Sequence, residues 1–245
     1  PVTYYKELLS DKDDYAIYIK SPFDADNRLL AVGYDVTSRY TRRNETEFLK
    51  IKSYIADITA QKKGNYMVFF PSYKMLEEVY RIFDEEFSVN WVRCICQNSS
   101  MKESEREEFL EEFEHNQDSL VAFCIMGGIF SEGIDLMGEK LIGAIMVGTG
   151  LPQLGNEREI LRSFYSEKGE NGFDYAYRYP GMNKVLQAAG RVIRTREDKG
   201  VILLLDERFR QREYSSLFPV EWNDRKTCTL SNVEEQLKRF WEMAK

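Results

Sequence analysis

The chain has 245 residues, 43% of them hydrophobic and 31% charged, with a net charge of −7. That is the make-up of a globular protein with apolar mass for one large domain or two small ones. It excludes a protein that grips nucleic acid over its whole surface, so any such contact has to be local, through clusters such as Arg39, Arg42 and Arg43 or Arg191, Arg194 and Arg196.

Taken in order, Thr3–Ser10 reads as a short helix, Ala16–Ile19 as a strand, and Ser21-Pro22-Phe23 as a break before a second strand at Leu29–Val32. Asn44 or Thr46 can cap a helix to about Lys62, with Phe48, Ile51, Ile55 and Ile58 on its apolar face. Tyr66–Phe70 is apolar throughout and bounded by turn residues, as in a central strand covered on both faces. Pro71-Ser72 opens a helix to about Phe87, with Ser72 as its cap, and residues 91–96 form the next strand. Ser104 is expected to cap an acidic helix running to about His115. Strands follow at Leu120–Ile125 and Leu141–Val147, then a helix over 153–168 and a Gly-, Asn- and Tyr-rich connection over 169–182. A helix over 183–195, a last strand at Val201–Leu205, a short helix opened by Asp206 and a final helix over 231–244 behind Ser231 complete the reading.

Uniformly apolar strands alternating with helices predict an α/β fold, a parallel sheet with helices on both faces. In such sheets ligands bind at the carboxyl ends of the strands, which directs attention to the loops after 70, 125, 147 and 205. Cys94, Cys96, Cys124 and Cys228 have neither zinc nor disulfide spacing and read as buried free thiols in a reducing compartment. His115 has no partner for triad or metal chemistry, and no metal ligands are assigned. No apolar run approaches the roughly 18 residues of a membrane span and no secretory leader is recognisable, so no membrane association is expected. The chain opens at Pro1 rather than Met, as a fragment would.

Three stretches carry the chemistry. In Gln187-Ala-Ala-Gly-Arg-Val-Ile-Arg194, helical spacing would place Gln187, Arg191 and Arg194 on one face. Gly190 costs about 1 kcal/mol there relative to Ala, which calls for a reason such as close approach of a backbone or ligand. Two guanidiniums aimed one way suit a phosphate or carboxylate, and a solvated basic face is the plain alternative. Gly128-Ile-Phe-Ser-Glu-Gly133 has the glycine spacing of a phosphate loop, but Ile134 and Asp135 stand where Lys and Ser or Thr are needed. With Gly127, Gly128 and Gly133 allowing close backbone approach, Glu132 and Asp135 read instead as carboxylates of a ligand-contacting loop. Asp206-Glu207 imitates a metal-holding acidic pair at a strand end, but without a phosphate loop the stronger reading is that Asp206 caps the next helix.

These segments, in this order, resemble one family. Phe69-Phe-Pro-Ser-Tyr-Lys-Met-Leu-Glu-Glu-Val79 is similar to motif IV of the XPD/DinG helicases, and Gly128–Asp135 to their motif V. Gln187–Arg194 with Asp198-Lys-Gly200 and Asp206–Phe209 is similar to motif VI and its sequel, and Ser21-Pro22-Phe23 to a triplet near the start of the second motor lobe. The resemblance spans about residues 20–220. It implies a RecA-like second motor lobe of a superfamily 2 DNA helicase over 1–245, with a helical insertion before the 187–194 helix. The phosphate loop, the Mg²⁺-binding acidic motif and the iron–sulfur cluster of most members would lie in a first lobe outside these residues. It further implies that Arg191 and Arg194 reach ATP across the lobe interface, with Gln187 beside the phosphates or the attacking water. Glu132, Gly133, Asp135 and Gly190 would lie at the nucleotide, and Ser72, Tyr73 and Thr149 at the DNA. Ile129 stands where many members carry Lys or Arg.

The expected partners are that first lobe and single-stranded DNA, in a monomer located in the cytoplasm, on the nucleoid in a bacterium. The family implies 5′ to 3′ movement, and a lone lobe should not hydrolyse ATP. The rival readings are a non-catalytic nucleotide- or phosphate-binding module, which would bind ATP unaided, and a protein-interaction lobe, which should have lost the motif residues. A dehydrogenase lacks its glycine fingerprint.

Overall fold

Strands that are apolar at every position have to be covered on both sides, and that requirement organises this molecule. A computed structural model describes residues 2–10, 14, 15, 17, 19, 21–87, 92–114, 118–131, 136 and 138–243. In chain order they form α1 (Val2–Leu9), β1 (Arg28–Gly33), α2 (Glu45–Gln61), β2 (Asn65–Phe70), α3 (Tyr73–Phe87), β3 (Val92–Cys96), α4 (Glu103–Glu111), β4 (Ser119–Ile125) and β5 (Gly143–Val147). Then come α5 (Asn156–Glu167), α6 (Tyr179–Ala189), β6 (Gly200–Leu205), α7 (Arg212–Ser215), β7 (Lys226–Cys228) and α8 (Val233–Met243). The strands make one sheet in the order β3-β4-β2-β5-β6-β1-β7, and every pair is parallel.

Strand alternation divides the core in two. Tyr66, Val68, Phe70, Val201, Leu203 and Leu205 face a layer built from α2, α3 and α8, including Ile51, Ile55, Leu76, Phe83 and Leu237. Met67, Phe69, Ile202 and Leu204 face the other layer, where Phe113, Met182, Val185 and Ala188 close the core. Each large side chain buried in this way contributes about 1.5–3 kcal/mol of apolar burial. The parallel α/β fold read from the sequence is therefore what forms. Cys94 and Cys96 are half-buried and Cys124 and Cys228 buried, all free, and burial pushes the Cys94 and Cys96 thiols up to about 12. No helix among the described residues is long and apolar enough to cross a membrane.

Several elements differ from the sequence reading. The strand expected at 16–19 falls partly on residues outside those described, and Ile17 and Ile19 are exposed and belong to no strand. Ser104 lies inside α4, whose start is fixed instead by the Glu105 carboxylate accepting from the Lys102 N–H at 2.6 Å. The supposed connection at 169–182 is largely helical, with a π turn at Asp174–Arg178 leading into α6. Pro180 accounts for that turn: it has no N–H to donate to the Ala176 carbonyl and its ring would crowd that oxygen. The Ala176 carbonyl accepts from Arg158 instead, at 3.4 Å.

The helix expected over 183–195 stops at Ala189. Beyond Gly190 the backbone tightens, Arg191 N donating to Ala188 O and Val192 N to Ala189 O, each at 3.3 Å. Asp198 then takes the N–H groups of Arg194 and Thr195, both at 2.7 Å, which a continuing helix would have turned inward. Gln187, Arg191 and Arg194 consequently do not share a helical face: Gln187 projects from the last turn of α6, and the arginines stand on the loop that follows.

Candidate functional site

All the strands being parallel, the loops after β1, β2, β4, β5 and β6 emerge on one edge of the sheet. Asp206, directly after β6, is fully buried beneath that edge. Its carboxylate accepts from Ser38 N and Oγ, both at 2.8 Å, from Arg208 N at 3.0 Å and from the Arg208 guanidinium at 2.7 and 2.8 Å. Burial alone would push this carboxyl up, but the hydrogen bonds and charge of Arg208, with the backbone donors, hold it below the ordinary carboxylate value. Asp206 thus caps its helix, as the sequence suggested, and also ties the loop after β1 to that after β6.

Above this anchor lies a cleft of about 460 Å³. Ser38, Arg39, Tyr40 and Arg43 line it from the loop after β1, Pro71 and Ser72 from that after β2, Thr149–Leu154 from that after β5, and Arg208 from that after β6. Arg43 donates to Ser38 O at 3.0 Å and to Ser72 Oγ at 3.3 Å. Among the described residues no carboxylate lies within ion-pair distance of it. Burial and then the neighbouring Arg208 charge push its guanidinium below the ordinary value. Arg39 and Arg42, by contrast, are paired with Glu207 at 3.1 Å each. Thr149 is 1% exposed, and among the described residues its hydroxyl has no hydrogen-bond partner. A half-buried cation without a counter-ion beside an orphaned buried hydroxyl is an arrangement an anion would complete.

The glycines around Thr149 explain how it gets there. Gly150 has φ +68, and a Cβ on it would lie 2.5 Å from the Gly181 carbonyl oxygen of α6; one on Gly181 would lie 2.8 Å from Thr149 O. Only two facing glycines let the loop after β5 rest directly on the α6 backbone.

Of the residues singled out from the sequence, Ser72 and Thr149 meet in this cleft. Tyr73 does not line it: its hydroxyl is taken by Gln97 Nε2 at 3.2 Å. Gln187 is exposed on α6. Arg191 is half-buried and donates to the Ser131 carbonyl at 2.8 Å, joining the 126–131 loop to the end of α6. Arg194 and Gly190 line another cleft, of about 470 Å³, with Phe23, Leu186, Ile193, Pro219 and Trp222. Gly190 has ordinary helical φ, and a Cβ there would meet only the Leu186 and Gln187 carbonyls. Glu132, Gly133 and Asp135 lie outside the described residues. The sequence showed Arg43 only as one of a basic trio, and gave no signal for Gln97.

A family model described as "Helicase C-terminal domain" matches residues 55–225. The chain belongs to the helicase C-terminal domain family. A regulator of telomere elongation helicase 1 homologue from Drosophila erecta is 25% identical over 268 aligned residues, covering all of this chain and 26% of that protein. The ATP-dependent DNA helicase XPD of Sulfolobus acidocaldarius is 26% identical over 182 residues, 73% of this chain and 31% of that one. The solved structure XPD_APO superposes on 82% of this chain and 40% of its own with a TM-score of 0.66 at 21% identity. The helicase domain therefore has the RecA-like fold, and the chain spans between a quarter and a third of the length of the two curated helicases. The match covers the cleft residues Ser72, Thr149 and Arg208 and the arginines after α6, and begins downstream of Arg43.

Proposed function

We propose that this chain is the second motor lobe of an ATP-dependent DNA helicase that grips single-stranded DNA at its strand-end cleft and completes an ATP site held by another lobe. The observation that carries the reading is the convergence of Arg43, Ser72 and Thr149 above the Asp206–Arg208 anchor. A guanidinium and two hydroxyls, with no facing carboxylate among the described residues, form a seat for a backbone phosphate, which gives grip without reading sequence. The net charge of −7 keeps that grip local to the cleft.

The nucleotide half rests on Arg191 and Arg194. Their loop is pinned by Asp198, and Arg191 is tied to the 126–131 loop, so both guanidiniums stand on a braced turn and not on a mobile strand of chain. An arginine supplied from a second element stabilises the charge of a transferring phosphoryl group. ATP and Mg²⁺ would be held by a first lobe, because this sequence lacks the lysine and hydroxyl of a phosphate loop. Gln187, Glu132, Gly133, Asp135 and Gly190 are assigned to the same nucleotide edge, Tyr73 to the DNA edge, and 5′ to 3′ movement follows the family.

The test is single-stranded DNA binding by the full-length protein as a function of salt. Arg43→Ala should weaken it roughly tenfold for every DNA sequence tried and lower the salt slope by about one ion. Unchanged affinity and slope would remove the cleft from the DNA path. The chain of residues 1–245 alone should show no ATP turnover; turnover above background in a clean preparation would contradict the two-lobe assignment.

A further inference from the structure

Gln97, just past the end of β3, is 4% exposed and belongs to none of the stretches that carry the motor chemistry. Its backbone N–H extends the strand ladder to Phe123 O at 2.9 Å. Its side chain leaves the strand and bridges two loops. Oε1 accepts from Ile125 N at 2.9 Å, and Nε2 donates to the Tyr73 hydroxyl at 3.2 Å. Ile125 is the last residue of β4 and the root of the 126–131 loop. Tyr73 is the first residue of α3, next to the Ser72 that lines the phosphate cleft.

The loop rooted at Ile125 is a run of short links. Met126 N donates to Phe70 O at 2.9 Å, Gly128 N to Ile125 O and Ser131 N to Gly128 O, both at 3.0 Å, and Ser131 O accepts from Arg191. Gly127 has φ +74, and a Cβ on it would lie 2.6 Å from the Lys184 side chain; one on Gly128 would lie 3.0 Å from Ile125 O and 3.3 Å from Gln97 Nε2. The loop is thus wedged between α6 and the Gln97 amide. On one side of that amide stands the residue beside the DNA cleft, on the other the loop that holds Arg191.

We infer that Gln97 is a positioning residue that couples DNA engagement at Ser72 and Tyr73 to the arginine loop through the 126–131 segment. This rests on the motor reading. A DNA strand that shifts the start of α3 moves the Tyr73 hydroxyl, and the Gln97 amide carries that shift to Ile125 and Gly128. A side chain of this length with one acceptor and one donor at its tip is what joins the two, the part-buried N–H of Ile125 and the Tyr73 hydroxyl.

The experiment compares ATP turnover of the full-length protein with and without single-stranded DNA for wild type, Gln97→Leu, Gln97→Asn and Gln97→Glu. Gln97→Leu should lower the ratio of DNA-stimulated to DNA-free turnover roughly tenfold, within the usual range of coupling between sites. Gln97→Asn keeps the amide but is one methylene too short to span both partners, so it should lower the ratio likewise; it carries the test should the leucine variant fail to fold. Gln97→Glu has the length to accept from both Ile125 N and the Tyr73 hydroxyl, and should recover most of the ratio. Equal proportional losses with and without DNA, tracking a fall in melting temperature, would reduce Gln97 to a core residue and overturn the proposal. A wild-type protein whose turnover DNA does not stimulate would overturn both this inference and the motor reading; normal wild-type stimulation with unchanged ratios in the leucine and asparagine variants would overturn this one alone.

Discussion

Replacing Arg194 with alanine in the full-length protein is expected to cut ATP turnover by about 10³–10⁵, the range over which an arginine supplied from a second element acts in phosphoryl transfer. The geometry separates this loss from a loss of fold. The backbone N–H of residue 194 donates to Asp198, and alanine keeps that donor. Residue 194 is exposed, so the substitution leaves the core packing in place. Turnover should therefore collapse while the melting temperature stays close to that of the parent. Arg191→Ala should also lose turnover but is the less clean variant, because it releases the Ser131 carbonyl and with it the 126–131 loop. Near-normal turnover in Arg194→Ala would end the assignment of that arginine to the nucleotide.

The order of elements was legible because it depends on pattern. Tyr66–Phe70, Leu120–Ile125 and Val201–Leu205 have no polar residue to expose, so they had to be central strands, and Asn44 caps α2 through the Glu47 N–H at 3.0 Å as its side chain dictates. What escaped was decided by single side chains that periodicity does not register, some of them distant in sequence. Helical spacing put Gln187, Arg191 and Arg194 on one face, but Asp198 offers the N–H groups of Arg194 and Thr195 better acceptors than another turn of helix would. The π turn before α6 follows from Pro180 and the availability of Arg158, and only the proline is visible locally. The cleft draws Arg43, Ser72, Thr149 and Arg208 from loops after four different strands. The resemblance marked Ser72 and Thr149 for the DNA, but their meeting with Arg43 and Arg208 follows only from the strand order, which places those loops side by side. Gln97 had no periodicity, motif or charge to mark it, and only its two partners give it a role.

The second large effect is expected at Asp206, where charge removal should cost stability and DNA grip together. Asp206→Asn leaves the Arg208 guanidinium, itself mostly buried, without its counter-charge, and turns an amide N–H₂ toward donors on Ser38 and Arg208. Breaking one side of a buried pair costs about 3–5 kcal/mol, a large share of the roughly 5–15 kcal/mol by which domains are stable. A melt of this chain should show a drop of several degrees or more. Ser38 and Arg208 line the strand-end cleft proposed to seat DNA, so the same variant, if folded, should also bind single-stranded DNA more weakly. The parent has a matching acid dependence. The Asp206 carboxyl is held below its unfolded value, so its contribution is fully present above about pH 4 and is lost as pH falls through the lower, folded value. Asp198, whose burial is likewise outweighed by the Thr195 hydroxyl and backbone donors, acts in the same direction. Asp57 and Asp174, pushed up chiefly by burial, oppose it in part. Melting temperature plotted against pH should therefore fall below about pH 4 in the parent and fall less steeply in Asp206→Asn. Parallel curves for the two proteins would mean that the carboxylate is not the anchor of the strand-end loops, and the cleft above it would then need another explanation for how Arg208 and Ser38 are held.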